Sequence, residues 1–592
     1  MPNRGMRQGR MRQGRIRQGG LRLGLLAVLL AWLAACQQSS TEPPPAQAPA
    51  TSAAVPPPPP PIHAAGGVSE MVITGSHTPG DQRYTTVRRS VAGSIPVPAM
   101  TGDERYENEP TNPVHSVAET PVSTFSIDVD TAAYANVRRM LQDGALPPKD
   151  AVRVEELVNY FEYDYAPPAA RTQPFSTTVS VLPAPWAEGR QLLHIGLQGY
   201  TPPAATRPPL NLVLLVDTSG SMAGPNRLGL AVQGFRMLLE SLDERARLAI
   251  VVYAGAAGAV LEPTRGDDQV RIRAALGNLQ AGGSTAGGAG LELAYALARK
   301  HFDPRAVNRV IMATDGDFNV GISDPDALQS FVAAQRAQGI YLSVLGFGGG
   351  NYNDALMQRL AQNGNGVAAY IDGIAEARRV LSEQASSALI PIADDVKIQV
   401  EFNPAQVAEY RLIGYESRML RREDFNNDAV DAGEIGAGHS VTALYEITPV
   451  GGPLRLEPLR YAQPAQAGAP RAGASTPAAR AGELALLRIR YKLPGERESR
   501  LIERPIVRTD VVADMARAPE SSRWAAAVAA FGQRLRGDAY LRPGYGWTDI
   551  IDLAQGARGQ DEFGWRAEFV QLVRAAASAD GSLSDPAAAA RR

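Results

Sequence analysis

The sequence predicts an α/β protein: a doubly wound, Rossmann-like central domain, with a small α/β domain before it and a β-rich, then helical, domain after it. Three patterns predict this. Between residues 210 and 386, short apolar runs alternate with stretches whose apolar residues recur at helical spacing, the order of a parallel sheet with crossovers. Beyond Pro391 the pattern becomes strand-like alternation without helices between. Over 521–576 the helical period returns, with Trp524, Val528, Phe531 and Leu535 on one face. At 592 residues the chain is too long for one core, and about 100 to 200 residues per domain gives several units.

Residues 1–35 read as an export leader. Seven arginines precede the first acid, Glu42, and the apolar stretch 23–35 is too short to span a bilayer, which needs about 20 apolar residues. The ending Leu33-Ala34-Ala35-Cys36 is similar to a bacterial lipobox, which implies acylation of Cys36, the chain's only cysteine, and attachment to a membrane through it. Gln37 after it favours the outer membrane, so the expected location is the cell envelope, facing the periplasm or the surface. Loss of the leader shifts the formal charge from −2 to −9, which leaves no basic stripe and argues against nucleic-acid binding. Residues 36–100 are rich in Pro, Ala, Ser and Thr, with unbroken proline over 56–61, and read as an extended tether.

Residues 101–208 are expected to form the small α/β domain and a β connector. Positions 123–130 alternate like a strand, and helices follow at 131–141 and 154–163. Asp128 and Asp130, just before Thr131, read as helix-capping acids. Strand-like runs at 175–182 and 191–198 lead into the central domain.

Within residues 209–386, strands are expected at 212–216, 249–253, 310–313 and 341–346, with helices at 228–242, 270–279, 291–299 and 327–335. In such sheets ligands bind outside the carboxyl ends of the strands. There the sequence places Asp217-Thr218-Ser219-Gly220-Ser221 after the first strand, Gly282-Gly283-Ser284-Thr285 before a helix, and Thr314-Asp315-Gly316 after a later strand. Carboxylates and hydroxyls so gathered suit a hard cation. Together the segments resemble the metal-ion-dependent adhesion site of von Willebrand factor type A domains, and the block 123–165 resembles the N-terminal domain that precedes such a domain in a family of bacterial lipoproteins. The resemblance implies that Asp217, Ser219, Ser221, Thr285 and Asp315 hold Mg²⁺, with Mn²⁺ or Ca²⁺ as alternatives. It implies hydroxyls as direct ligands, carboxylates acting partly through water, and an open position that takes a Glu or Asp of a partner protein. Asp317 reads as a loop acid.

Residues 387–592 are expected to form a β-sandwich-like unit, with strands at 396–402, 407–413, 439–448 and 484–491, then helices; the resemblance matches the helical tail to a C-terminal domain of unknown function. An acidic turn at 424–428 has the opening spacing of a calcium loop but Ala429 and Ile435 at its sixth and twelfth positions, and reads as solvated. The glycines at 346–350 read as a strand-to-helix turn.

The six histidines form no zinc motif, and Ser219 is not in a nucleophile elbow, so the chain is not expected to be an enzyme. The expected function is that of a membrane-anchored, metal-dependent protein-binding lipoprotein. The alternatives are an envelope scaffold in which the metal only stabilises the fold, and a subunit assisting an ATPase of the chelatase type.

Overall fold

Strands from the two ends of the chain build one sandwich, and the central domain is inserted between them. A computed structural model describes residues 104–581 apart from 128–129, 169–171, 284–286, 317–324, 350–351, 431, 458 and 460–481. The leader, the tether and Cys36 lie outside the described residues. Among the described residues no helix is long and apolar enough to cross a membrane.

The N-terminal part supplies β1 (His115–Ser116), β2 (Val122–Ser126), α1 (Ala132–Gln142), α2 (Val154–Asn159), β3 (Phe175–Pro183) and β4 (Gln191–Gly199). The central part runs β5 (Leu210–Asp217), α3 (Leu228–Leu238), β6 (Arg247–Tyr253), β7 (Ala257–Arg265), α4 (Gln269–Gly277), α5 (Gly287–Lys300), β8 (Val307–Thr314), α6 (Pro325–Arg336), β9 (Ile340–Phe347), α7 (Asp354–Asn363), β10 (Ala368–Ile371), α8 (Ile374–Arg378) and α9 (Ala385–Leu389). The C-terminal part adds β11 (Pro391–Phe402), β12 (Val407–Ile413), β13 (Gly433–Gly436), β14 (Ser440–Pro449), β15 (Glu483–Lys492), β16 (Arg500–Val507), α10 (Glu520–Arg536), α11 (Trp547–Gly556) and α12 (Trp565–Ala579).

The central sheet has the order β10-β9-β8-β5-β6-β7, parallel except for β7, and β5 lies at its middle. Successive β5 side chains point to opposite faces. Leu212, Leu214 and Val216 pack with Ala231, Phe235 and Leu238 of α3, while Val213 and Leu215 pack with Leu291, Ala294 and Tyr295 of α5. Both faces are therefore covered, which is why β5 is apolar at every position from Leu212 to Val216. The doubly wound α/β expectation holds.

One sandwich sheet runs β1-β12-β14-β4-β3; the other runs β13-β11-β15-β16, with β2 also paired to β11. Phe125, Val181, Leu193, Ile195, Val396, Ile398, Val441, Tyr445 and Ile489 fill the space between them. The segments 101–208 and 387–592, read from sequence as separate domains, thus share both sheets. They share the helical core as well, where Tyr134, Tyr160 and Phe161 pack with Trp524, Phe531 and Phe569. Strand periodicity reports which face is buried but not which strand is the partner, so the interleaving is invisible in the pattern.

Asp130 is not a helix cap. Its Oδ1 accepts from the Ala368 amide at 2.7 Å and its Oδ2 pairs with Arg418 at 2.8 Å. The first-turn amide of Ala133 donates instead to Glu156 Oε2, at 2.8 Å. Asp128 lies outside the described residues. In the acidic turn, Asp424 is paired with Arg421, and Asp428 accepts from Arg490 and Ser499, so these carboxylates have protein partners; Asp431 lies outside the described residues.

Candidate metal centre

Parallel pairing brings the two aspartates together. β5 and β8 are neighbours in the register Val216 opposite Ala313, so the chain one residue further on places Asp217 beside Thr314, with Asp315 next. Thr314 Oγ1 donates to Asp217 Oδ2 at 3.3 Å and accepts from the Gly316 amide at 3.2 Å, where Gly316 turns the chain with φ 94°. Past Asp217 the ladder with β6 continues for one residue, since the Thr218 amide donates to the Tyr253 carbonyl at 2.9 Å. The chain then tightens into the single turn Gly220–Met222.

That turn aligns the motif side chains. The Ser219 amide donates to Asp217 Oδ1 at 2.8 Å, and the Ser219 and Ser221 hydroxyl oxygens are 2.9 Å apart. The second loop is tied to the first by its backbone: the Gly220 amide donates to the Gly283 carbonyl at 2.9 Å, and the Gly282 amide to the Thr218 carbonyl at 2.8 Å. Thr285, shortly after Gly283, lies outside the described residues, as does Asp317. Of the five residues read as ligands, Asp217, Ser219, Ser221 and Asp315 are placed at one end of the sheet.

Both carboxylates are buried, with Asp217 and Asp315 each 0% exposed and Ser219 2%. Burial holds the Asp217 carboxyl above its ordinary range; the Ser219 amide and hydroxyl and the Thr314 hydroxyl act in the opposite direction, while the neighbouring Asp315 raises it further. Beneath them Tyr253 closes the floor, its phenol held far above the usual value by burial first and by Asp217 next. The donor set is oxygen only. No trio of His, Cys, Asp or Glu side chains that could hold a metal gathers among the described residues, so the character of this site comes from two carboxylates and their hydroxyls. Such a set fits a hard divalent cation, with Ser219, Ser221 and the carboxylates as the residues that would hold it; the bound ion would supply an electrophilic centre for an anionic oxygen.

The motifs do not reveal Arg227. From the start of α3 its Nη1 reaches Asp315 Oδ2 at 3.1 Å and the Ser221 carbonyl, and its Nη2 donates to the Gly349 carbonyl at 2.9 Å. Gly348, at φ 73°, permits this, because a methyl group there would collide with the Arg227 side chain. The glycine turn after β9 is therefore part of the site's rim. The visible signal was an arginine at the residue just before a helix, where Ser, Thr, Asp or Asn is preferred.

Family models match three stretches of the chain: von Willebrand factor over residues 100–194, von Willebrand factor type A domain over 212–317, and "Uncharacterized protein YfbK, C-terminal" over 387–579. The Escherichia coli (strain K12) protein described as "Uncharacterized protein YfbK" is 46% identical over 502 residues, spanning 84% of this chain and 85% of its own. The Synechocystis protein sll0103 is 31% identical over 171 residues, 29% of this chain and 40% of its own. Among solved structures, a von Willebrand factor type A protein from Catenulispora acidiphila is 16% identical with a TM-score of 0.40, over 70% of this chain and 91% of its own. By its identity and coverage with the Escherichia coli protein, the chain belongs to that protein's family, which joins a von Willebrand factor type A domain to the YfbK C-terminal domain.

Proposed function

We propose that the chain is a membrane-anchored, metal-dependent binding protein whose type A domain captures a Glu or Asp side chain of a partner protein. Domains of this family generally mediate protein interactions. One observation carries the metal-dependent reading. Elsewhere in the protein buried acids face guanidinium groups: Asp372 and Glu376 meet Arg138, Asp354 meets Arg153, and Asp538 meets Arg411. Asp217, fully buried and beside a second carboxylate, has hydroxyl and amide donors but no paired Arg or Lys among the described residues. Buried charge is normally neutralised by a partner or a metal. Mg²⁺ is the proposed cation, with Mn²⁺ or Ca²⁺ as alternatives; it would leave an open position for an acidic ligand. Thr285 remains a proposed ligand and Cys36 the proposed acylation site, at the periplasmic or outer surface of the cell envelope.

The reading is non-enzymatic. The serine-histidine contact in the described structure, Ser522 Oγ to His194 Nδ1 at 2.6 Å, is sealed in the core with both residues at most 1% exposed, and burial pushes His194 down to about 3. It serves as a packing network with Tyr165 and Thr442 and offers no approach to a substrate.

The test is affinity capture from envelope extracts on wild-type protein and on Ser219→Ala, each in Mg²⁺ and in EDTA. Partner retained only by wild type in Mg²⁺ is the expected result; retention in EDTA or by the variant sinks the metal-dependent reading. The interleaved sandwich supports the scaffold reading, in which the metal only stabilises the fold. In that case partner binding survives Asp217→Asn and only the melting temperature responds to Mg²⁺. Metabolic labelling with a radiolabelled fatty acid, lost in Cys36→Ser, tests the anchor.

A further inference from the structure

We propose that Arg227 is an internal cation that competes with the metal for Asp315 and straps the site closed in the metal-free protein. The inference rests on the metal-binding reading above and adds its regulation. One guanidinium spans three loops: it pairs with Asp315 after β8, donates to the Ser221 carbonyl in the turn after β5, and donates to the Gly349 carbonyl after β9. Two of them, the loops after β5 and β8, carry proposed ligands, and the third forms the rim beside them. The planar fork of an arginine can satisfy several acceptors at once, which a point-charge ammonium cannot do equally well.

The competition is electrostatic. Asp315 is one of two buried carboxylates available to neutralise a divalent ion, and Arg227 Nη1 stands 3.1 Å from its Oδ2. A dication nearby must repel this fixed positive charge, across a partly buried site where screening by water is weak. The Arg227 side chain is 22% exposed, so it has a route to solvent when displaced. Its release also frees an acceptor on the 348–349 turn. Another tie of that turn is the Tyr370 hydroxyl to the Gly348 carbonyl, and Tyr370 lies under Arg139, which is paired to Glu104 at 2.9 Å. Metal entry would therefore be felt at the segment around Glu104 as well as at the open coordination position.

Mn²⁺ titration by calorimetry, with thermal melts of metal-free and Mn²⁺-saturated protein, tests this on wild type, Arg227→Gln, Arg227→Lys and Ser219→Ala. Arg227→Gln should bind Mn²⁺ about tenfold tighter than wild type. Its metal-free form should melt lower, because the Gly349 and Ser221 carbonyls lose their donor, so the rise on Mn²⁺ addition becomes larger. Arg227→Lys, which keeps the charge, should stay close to the wild-type affinity. Unchanged or weaker binding by Arg227→Gln overturns the competition, and so does equal tightening in both Arg227 variants, which would make bulk and not charge the cause. Loss of binding in Ser219→Ala with no effect of Arg227→Gln removes the competition alone. Undiminished binding in Ser219→Ala removes the metal site itself, and the proposal with it.

Discussion

The interleaved sandwich makes a strong prediction for a fragment of residues 387–581, the stretch that has its own family model over 387–579. Expressed alone, it should not fold. It would lose β2, β3 and β4, and with them Phe125, Ile127, Val181, Leu193, Ile195 and Leu197, each at most 1% exposed in the intact protein. At about 1.5 to 3 kcal/mol per buried large side chain, these six carry roughly 9 to 18 kcal/mol. That is comparable to the whole stability of a typical domain, about 5 to 15 kcal/mol. The loss is also directional: β14 pairs with β4 from Ser440–Gln198 to Ile447–Gln191, so a long row of backbone groups would be left unpaired. The assay is a thermal melt by circular dichroism together with proton–nitrogen spectra, on the fragment alone and co-expressed with residues 104–208. Co-expression should restore a cooperative transition, and residues 209–386 alone should show one without help. A cooperative melt and dispersed spectrum from 387–581 by itself would refute the argument that the two ends form one core.

Three further predictions follow from the charges. Asp217→Asn should keep or raise the melting temperature of metal-free protein while abolishing its rise with Mg²⁺. For the wild type, the folded carboxyl lies above its reference value of 3.8, so the native state binds the extra proton; this group's own contribution to the stability of the metal-free form is fully present below that value and is lost as pH rises through the elevated folded range, a slope that Asp217→Asn should remove. Saturating Mg²⁺, at a hundredfold excess over its Kd, should add about 2.7 kcal/mol to wild-type unfolding, measured by denaturant titration, and nothing to Ser219→Ala. Arg138→Met should cost about 3 to 5 kcal/mol, because it leaves Asp372 and Glu376 buried without that guanidinium; denaturant melts at pH 7 measure the loss.

What was legible followed from local pattern. The strands at 212–216, 249–253, 310–313 and 341–346 were visible because burial on both faces of a parallel sheet requires continuous apolar runs. Two strands of the same sheet lacked that signal. β7 is an antiparallel edge strand with exposed positions and Pro263, and β10 is four residues long. Convergence of Asp217, Ser219, Ser221 and Asp315 was legible because each ends or follows a strand of a parallel sheet. The arginine on Asp315 was not, since it comes from outside the motifs. In the structure Arg138 and Arg411 are buried and Arg153 is partly buried, and they join segments far apart in sequence, Arg138 alone meeting α8 and α12 from α1. A planar, always-charged group suits such cross-links, and no sequence pattern marks its partner.

The way the type A domain is attached bears on what its proposed metal face could do. Its entry and exit meet at one turn of the sandwich: the Gly438 amide donates to the Tyr200 carbonyl before β5, and the Ala437 amide donates to the Ile390 carbonyl after α9. That turn lies by the amino ends of the strands, so Asp217 and Asp315, at the carboxyl ends, are at the far end of the sheet. A single attachment would leave the domain free to swing. It is braced a second time along the β10 and α7 side, where Asp130 holds the Ala368 amide, Arg138 pairs with Asp372 and Arg153 pairs with Asp354. Two separated attachments fix the orientation of the Asp217 and Asp315 end of the sheet relative to the sandwich. Under the proposed function, binding would then spend little on ordering the domain, and a small contact centred on one metal-bound carboxylate could hold a partner that a loosely hung domain would release.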